Sequence, residues 1–210
     1  SGIINHCIYY FRKYVLLKNE QQSRGEHFKQ WALEQEKRKN GTIAIVNSNR
    51  KKYTETFVRQ HEKLPYFIHY YYGEKFPLWH YKNGNIISNN NVLYKTRLLI
   101  NEWLQLNQAD FFLKKFANHL QKNKVELLLC EFGTTGAAIA EIPEKTGIPM
   151  VVVFYGYDAH HREVIEKNKE QYKLLFKNAA AIIGVSNSIL DKLKTGGAPE
   201  EKLVYLPCPL

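Results

Sequence analysis

Short apolar runs that do not alternate with polar residues constrain this chain more than any other feature. "TIAIVN" (42–47), "VELLLC" (125–130), "PMVVVFY" (149–155), "AAIIGV" (180–185) and "KLVYLP" (202–207) are each too short for a core helix. Their lack of a polar face means that both sides of each segment are covered. Helical stretches separate them: "DFFLKKFANHLQKN", "TGAAIAEIPEKTG", "REVIEKNKEQYKLLFKN" and "SNSILDKLKTGG". Buried strands alternating with amphipathic helices predict an α/β fold with a mostly parallel sheet and helices on both faces.

The remainder of the chain fits around that core. "PYFIHYYY" (65–72) is β-branched and aromatic and reads as a further strand, and "TETFVRQHEKL" (54–64) and "NVLYKTRLLINEWLQLN" read as helices. Residues 73–90 carry Gly, Pro and Asn clusters and read as loop and turn. Residues 1–40 space their apolar residues by three and four, as helices do, and are expected to form a helical extension on a domain that runs from 41 to 210. Their basic, aromatic face also suits a membrane surface or a partner, and they also fit a remnant of an upstream domain. The chain opens Ser-Gly without Met, as a piece of a longer chain would.

Charge narrows the partners without choosing one. Thirty Lys and Arg against twenty Asp and Glu leave a formal charge of +10, which favours an anionic partner: nucleic acid, a phosphorylated small molecule or an acidic membrane surface. The basic residues are spread along helices with no recognised nucleic-acid motif, which argues against nucleic acid. Cys7, Cys130 and Cys208 are far apart and form no CxxC spacing, so no metal site is expected and a reducing, cytoplasmic compartment is. No apolar run approaches the length of a membrane span.

In open α/β sheets ligands bind beyond the carboxyl ends of the strands, so the strand exits are where function is sought. After the first strand, Arg50, Lys51 and Lys52 form a basic loop and Thr54 can cap the following helix. After "LLLC", Glu131 leaves the strand, Gly133 and Gly136 permit a tight turn, and Thr134 or Thr135 can cap the next helix. A carboxylate at a strand end has few structural reasons to be there. After "VVVF", Tyr155, Gly156 and Asp158 precede His160 and His161, and Asp158 can contact a ligand or cap a helix begun near His160. After "IIGV", Ser186 is a helix cap or a ligand group. No GxGxxG or Walker sequence is present. Polar exits along one edge make a cleft the economical reading.

"EFGTTGAAIAEIPEKTGIPMVVVFYGYDA" and "LFKNAAAIIGVSNSILDKLKTGGAPEEKLVYLPC" resemble the amino-terminal half of family-4 glycosyltransferases of the GT-B fold, of the exopolysaccharide and lipopolysaccharide type. "YTETFVRQHEKL" is similar to the segment after the first strand in the same enzymes. The resemblance spans residues 42–208. It implies a Rossmann-like acceptor-side half, with the donor nucleotide-sugar held by a carboxyl-terminal half that "LPCPL" would lead into. It implies retaining, metal-independent sugar transfer to a glycan or lipid-linked acceptor, without a cofactor, at the cytoplasmic side or the inner membrane face.

On that resemblance the sugar and acceptor surface comprises Glu131, Gly133, Thr134, Thr135, Tyr155, Gly156, Asp158 and Ser186, with Arg50, Lys51 and Thr54 toward an anionic acceptor. Two positions depart from the family. Tyr155, the candidate catalytic residue on this resemblance, stands where a catalytic or donor-contacting histidine is common; phenol is no base near neutral pH but can hydrogen-bond a sugar hydroxyl and present a flat apolar face to its ring. Pro209 stands where glycine often follows. The alternative is a non-catalytic α/β module that holds a nucleotide or sugar phosphate.

Overall fold

The computed structural model of the chain describes residues 41–48, 66–73, 76–77, 79–80, 84–86 and 108–207. The expected helical extension (1–40), the basic loop with Arg50, Lys51 and Thr54, and the helices expected over 54–64 and 91–107 lie outside the described residues.

The described strands are β1 (Thr42–Asn47), β2 (Phe67–Tyr72), β3 (Trp79–His80), β4 (Gly84–Asn85), β5 (Leu127–Glu131), β6 (Met150–Phe154), β7 (Ala181–Gly184) and β8 (Leu203–Tyr205). They form one eight-stranded sheet in the order β4-β3-β2-β1-β5-β6-β7-β8. From β2 to β8 every pairing is parallel, and only the short β3 and β4 join antiparallel at the edge. This is the Rossmann-like α/β fold that the apolar runs predict. The 73–90 region differs from its loop reading, because β3 and β4 extend the sheet there.

The described helices are α1 (Gln108–Lys122), α2 (Gly133–Ala138), α3 (Ile142–Thr146), α4 (Gly156–His160), α5 (Arg162–Lys167), α6 (Lys169–Asn178) and α7 (Asn187–Thr195). Among the described residues no helix is long and apolar enough to cross a membrane. Two expected helices are broken. "TGAAIAEIPEKTG" divides into α2 and α3, with Pro143 in the first turn of α3, where its missing N–H costs nothing. "REVIEKNKEQYKLLFKN" divides at Asn168, whose side-chain amide donates to the Val164 carbonyl and so competes with continuation of the helix.

Burial follows the two faces of each strand. Ala44, Val46, Leu128, Cys130, Val152 and Phe154 point into one core with Phe116 and Leu120 of α1, Leu175 and Phe176 of α6, and Ile189 and Leu193 of α7. Ile43, Ile45, Leu127, Val151, Val153 and Ile183 point into the other. Cys130 is fully buried, and burial followed by the adjacent Glu131 charge pushes its thiol upward, so it behaves as a small hydrophobe.

The strand order sets where a ligand can sit. From β1 the chain proceeds to β2 on one side, while β5 lies on the other, so the order reverses between β1 and β5. Helices leave their strands in opposite directions at such a point and open a crevice at the carboxyl ends. The residues there are Asn47 at the end of β1 and Ser48 after it, and Glu131 at the end of β5 and Phe132 after it.

Candidate functional site

Glu131 closes β5 and is fully buried, paired in register with Val153 of β6. A lone buried carboxylate is costly, and a charge-assisted hydrogen bond offsets part of that cost. Tyr155, the first residue past β6, donates its phenolic hydrogen to Glu131 Oε2 at 2.7 Å. Adjacent parallel strands therefore bring together two side chains that lie 24 residues apart in sequence.

Phe132, which no sequence reading singled out, completes this corner. Its φ of 77° is unusual for a residue with a side chain, and such a conformation costs about 1–3 kcal/mol when imposed. The turn sets its ring 4.9 Å from that of Tyr155, at 49° between planes. The signal was faint in the sequence: the positive φ falls on Phe132, not on a neighbouring glycine. Gly133 has a different duty. A Cβ there would fall inside the Phe154 ring, so glycine is what allows α2 to lie against β6. Gly136 likewise sits against Val152 and Leu175. Both glycines lie within α2 and not in a tight turn, which corrects the reading of a GxxG turn.

Asp158 is fully buried and acts as a staple between two strand exits. Its carboxylate accepts from the Thr134 N–H at 3.4 Å, the Thr134 hydroxyl at 3.3 Å and the Tyr155 N–H at 3.4 Å. The Gly133 N–H is a further donor to it. Burial raises its pKa above the ordinary carboxylate range, and these donors pull it back in part. Helix α2 has no side-chain cap of its own, so Asp158 from the next exit supplies the negative group its N-terminus favours. Thr134 and Thr135 lie inside α2 and do not cap it. Helix α4 begins at Gly156, so Asp158 lies within that helix and not ahead of one begun near His160.

The remaining predicted residues spread around this corner. Thr134 and Tyr155 are half-buried, and Gly156 and Tyr157 are exposed. At Gly156 a Cβ would meet nothing within 4 Å and no positive φ is adopted, so neither crowding nor backbone conformation within this chain requires glycine there. Thr135 is buried, and its hydroxyl has no hydrogen-bond partner. Ser186 caps α7 by accepting from the Ile189 N–H at 3.3 Å. His160 and His161 are exposed on and beside α4.

A second polar cluster, also unforeseen, lies at the sheet edge under α1. His69 Nδ1 and His80 Nε2 are 2.8 Å apart, and the His80 ring is 5.0 Å from Tyr71 and 5.9 Å from His119. Burial first, then the His69 and Lys122 charges, hold the His119 imidazolium below the ordinary histidine range. Among the described residues no group of three or more His, Cys, Asp or Glu side chains is arranged to hold a metal ion.

The chain matches no protein-family model and no curated protein. Solved structures do match. The UDP-GlcNAc 2-epimerase from Neisseria meningitidis bound to UDP-GlcNAc aligns at 11% identity and a TM-score of 0.50, over 78% of this chain and 45% of that one. The UDP-N-acetylglucosamine 2-epimerase from Rickettsia bellii aligns at 11% identity and a TM-score of 0.47, over 78% of this chain and 43% of that one. The chain thus spans less than half the length of these neighbours. At this identity the likeness is one of fold, and it agrees with the parallel sheet described above: the chain is a Rossmann-like α/β unit.

Proposed function

We propose that this chain is the acceptor-side half of a retaining glycosyltransferase that moves a sugar from a nucleotide-sugar to a glycan or lipid-linked acceptor. The observation that carries this reading is the corner built by Glu131, Phe132 and Tyr155 at the strand exits beside the point of reversal. It offers aromatic surface for the apolar face of a sugar ring and a fixed hydrogen-bonding group for its hydroxyls. Its titratable groups are poorly placed for acid–base work. Glu131 and Asp158 are buried, and the phenol of Tyr155 is engaged by Glu131. Positioning of an acceptor hydroxyl is what such a corner can contribute, and orientation alone removes a large part of a transfer barrier.

In this reading the departing diphosphate is stabilised by a second, donor-binding half, and no cofactor or metal takes part. Arg50 and Lys51, which follow β1 in the sequence, serve an anionic acceptor at the cytoplasmic membrane face in this reading. The nucleotide-sugar enzymes among the structural neighbours support a carbohydrate role through shared fold only. Calorimetric titration of this chain with phosphorylated oligosaccharides and with UDP-sugars, alongside a transfer assay, tests the proposal. Expected are saturable binding of the glycans, weak binding of the nucleotides and no transfer. Sugar transfer by this chain unaided would sink the proposal, and tight nucleotide binding would favour a nucleotide-holding module.

A further inference from the structure

We infer that residues 1–40 of this chain cover the β6–β8 half of the second sheet face, with the apolar sides of their two amphipathic segments turned onto it. Among the described residues the two faces of the sheet are served unequally. Helices α1, α2, α3, α4, α6 and α7 each place a buried side chain in the core that contains Leu128 and Val152. The core on the opposite face is built, among the described residues, from strand residues and Leu206 just past β8, and no described helix contributes to it. That face is nonetheless not bare. Val151, Val153, Ala181, Ile183, Val204 and Leu206 are all buried, none of them more than 9% exposed. A parallel sheet is covered on both faces, and here the second cover comes from segments of the same chain outside the described residues.

Topology narrows which segment it is. Right-handed crossovers put connections that run toward β8 on one face and those that run the other way on the opposite face. The helices between β5 and β8 obey this on the first face. The β1–β2 connection runs the other way, which assigns it to the second face over β1 and β2. Strands lie about 4.8 Å apart and a helix is about 10 Å wide, so one helix spans about two strands. β6, β7 and β8 lie beyond β5 on the far side of β1, and they need a further cover.

Residues 87–107 are poorly placed to supply it. They leave β4 at the opposite edge and arrive at Gln108, where α1 begins on the first face. Residues 1–40 lead directly into β1, at the middle of the sheet. A four-residue connection ahead of β1 reaches up to about 14 Å, close to three strand spacings. The composition suits the duty as well. "HCIYYFRKYVLL" spaces Ile8, Phe11 and Val15 for one helical side, and "EHFKQWALEQEKRK" does the same for Phe28 and Trp31 among charged residues. Residues 1–40 are then an integral layer of this α/β unit, whatever its cleft binds, and their apolar stripe is not free for a membrane surface.

The test uses the full chain with its methyl groups and aromatic rings isotope-labelled for NMR. Nuclear Overhauser contacts are expected from the Phe11, Phe28 and Trp31 rings to the methyls of Val151, Val153, Ile183 and Val204. Trp31→Ala is expected to shift those methyls and to lower the melting temperature by about 6 °C or more. If that variant does not fold, the contacts in the unaltered chain still decide. Contacts to these methyls from rings of residues 53–103, with none from residues 1–40, overturn the assignment. Contacts seen only between differently labelled copies put a second chain on this face and overturn it too. So does a Trp31→Ala variant with unmoved methyls and an unchanged melting temperature.

Discussion

Glu131, Tyr155 and Asp158 divide the work at the residue scale. Glu131 and Tyr155 face one another, while Asp158 is spent on backbone donors from both neighbouring exits. Replacing Asp158 by Ala leaves the N–H groups of Gly133, Thr134 and Tyr155 without their acceptor. The expected loss is about 1–3 kcal/mol of folding free energy, read by urea denaturation. Gly156→Ala is expected to be neutral or to stabilise by up to about 1 kcal/mol, since the site has room and no unusual φ. If that variant loses glycan binding at unchanged stability, close approach of the ligand explains the glycine. The chemical type of these residues was legible in the sequence. Their partners were not, because hydrogen bonds between neighbouring strand exits join residues 24 apart. The sequence reading offered Asp158 to a ligand or to a helix cap, and the fold spends its carboxylate on donors at the starts of α2 and α4.

At the scale of elements, β1, β5, β6 and β7 were legible to within a residue or two because they are buried on both faces, and such runs have few other uses, whereas the two-residue β3 and β4 carry no such run and read as loop. Helix continuity was less legible. Ile139 and Ala140 look helical by composition, yet the chain turns there so that Ile142 can enter the core. Close packing of α2 gives a sharp test. Gly133→Ala drives a methyl group into the Phe154 ring, and overpacking of this kind is expected to cost about 1–3 kcal/mol in a denaturant titration.

The contact of α1 with the edge strands gives a pH test. The folded-state value of His119 lies below its ordinary 6.5, so the unfolded chain binds the proton first. Stability is complete above the unfolded value and falls as pH drops below about 6.5. Asp158 works in the opposite sense. Its folded value is raised, so its contribution is greatest below the unfolded value of 3.8 and is lost as pH rises through the folded one. His119→Phe preserves an aromatic ring against Tyr71 and is expected to flatten the slope of the melting temperature on the acid side of neutrality. An unaltered slope in that variant would place the acid sensitivity elsewhere.

The whole molecule owes its polarity to the strand order. A parallel sheet has one carboxyl edge, and reversal between β1 and β5 fixes the crevice on that edge. Alternating runs and helices made the α/β class legible, but strand order is not encoded in periodicity, so the position of the crevice needed the structure. The central claim is that the β5–β6 edge is the sugar-binding face. An amide-resolved NMR titration of the isotope-labelled chain with a phosphorylated oligosaccharide tests it most directly. The account predicts saturable shifts concentrated at residues 131–136 and 155–158, and their loss in Tyr155→Phe. Saturable shifts that bypass both segments would contradict it.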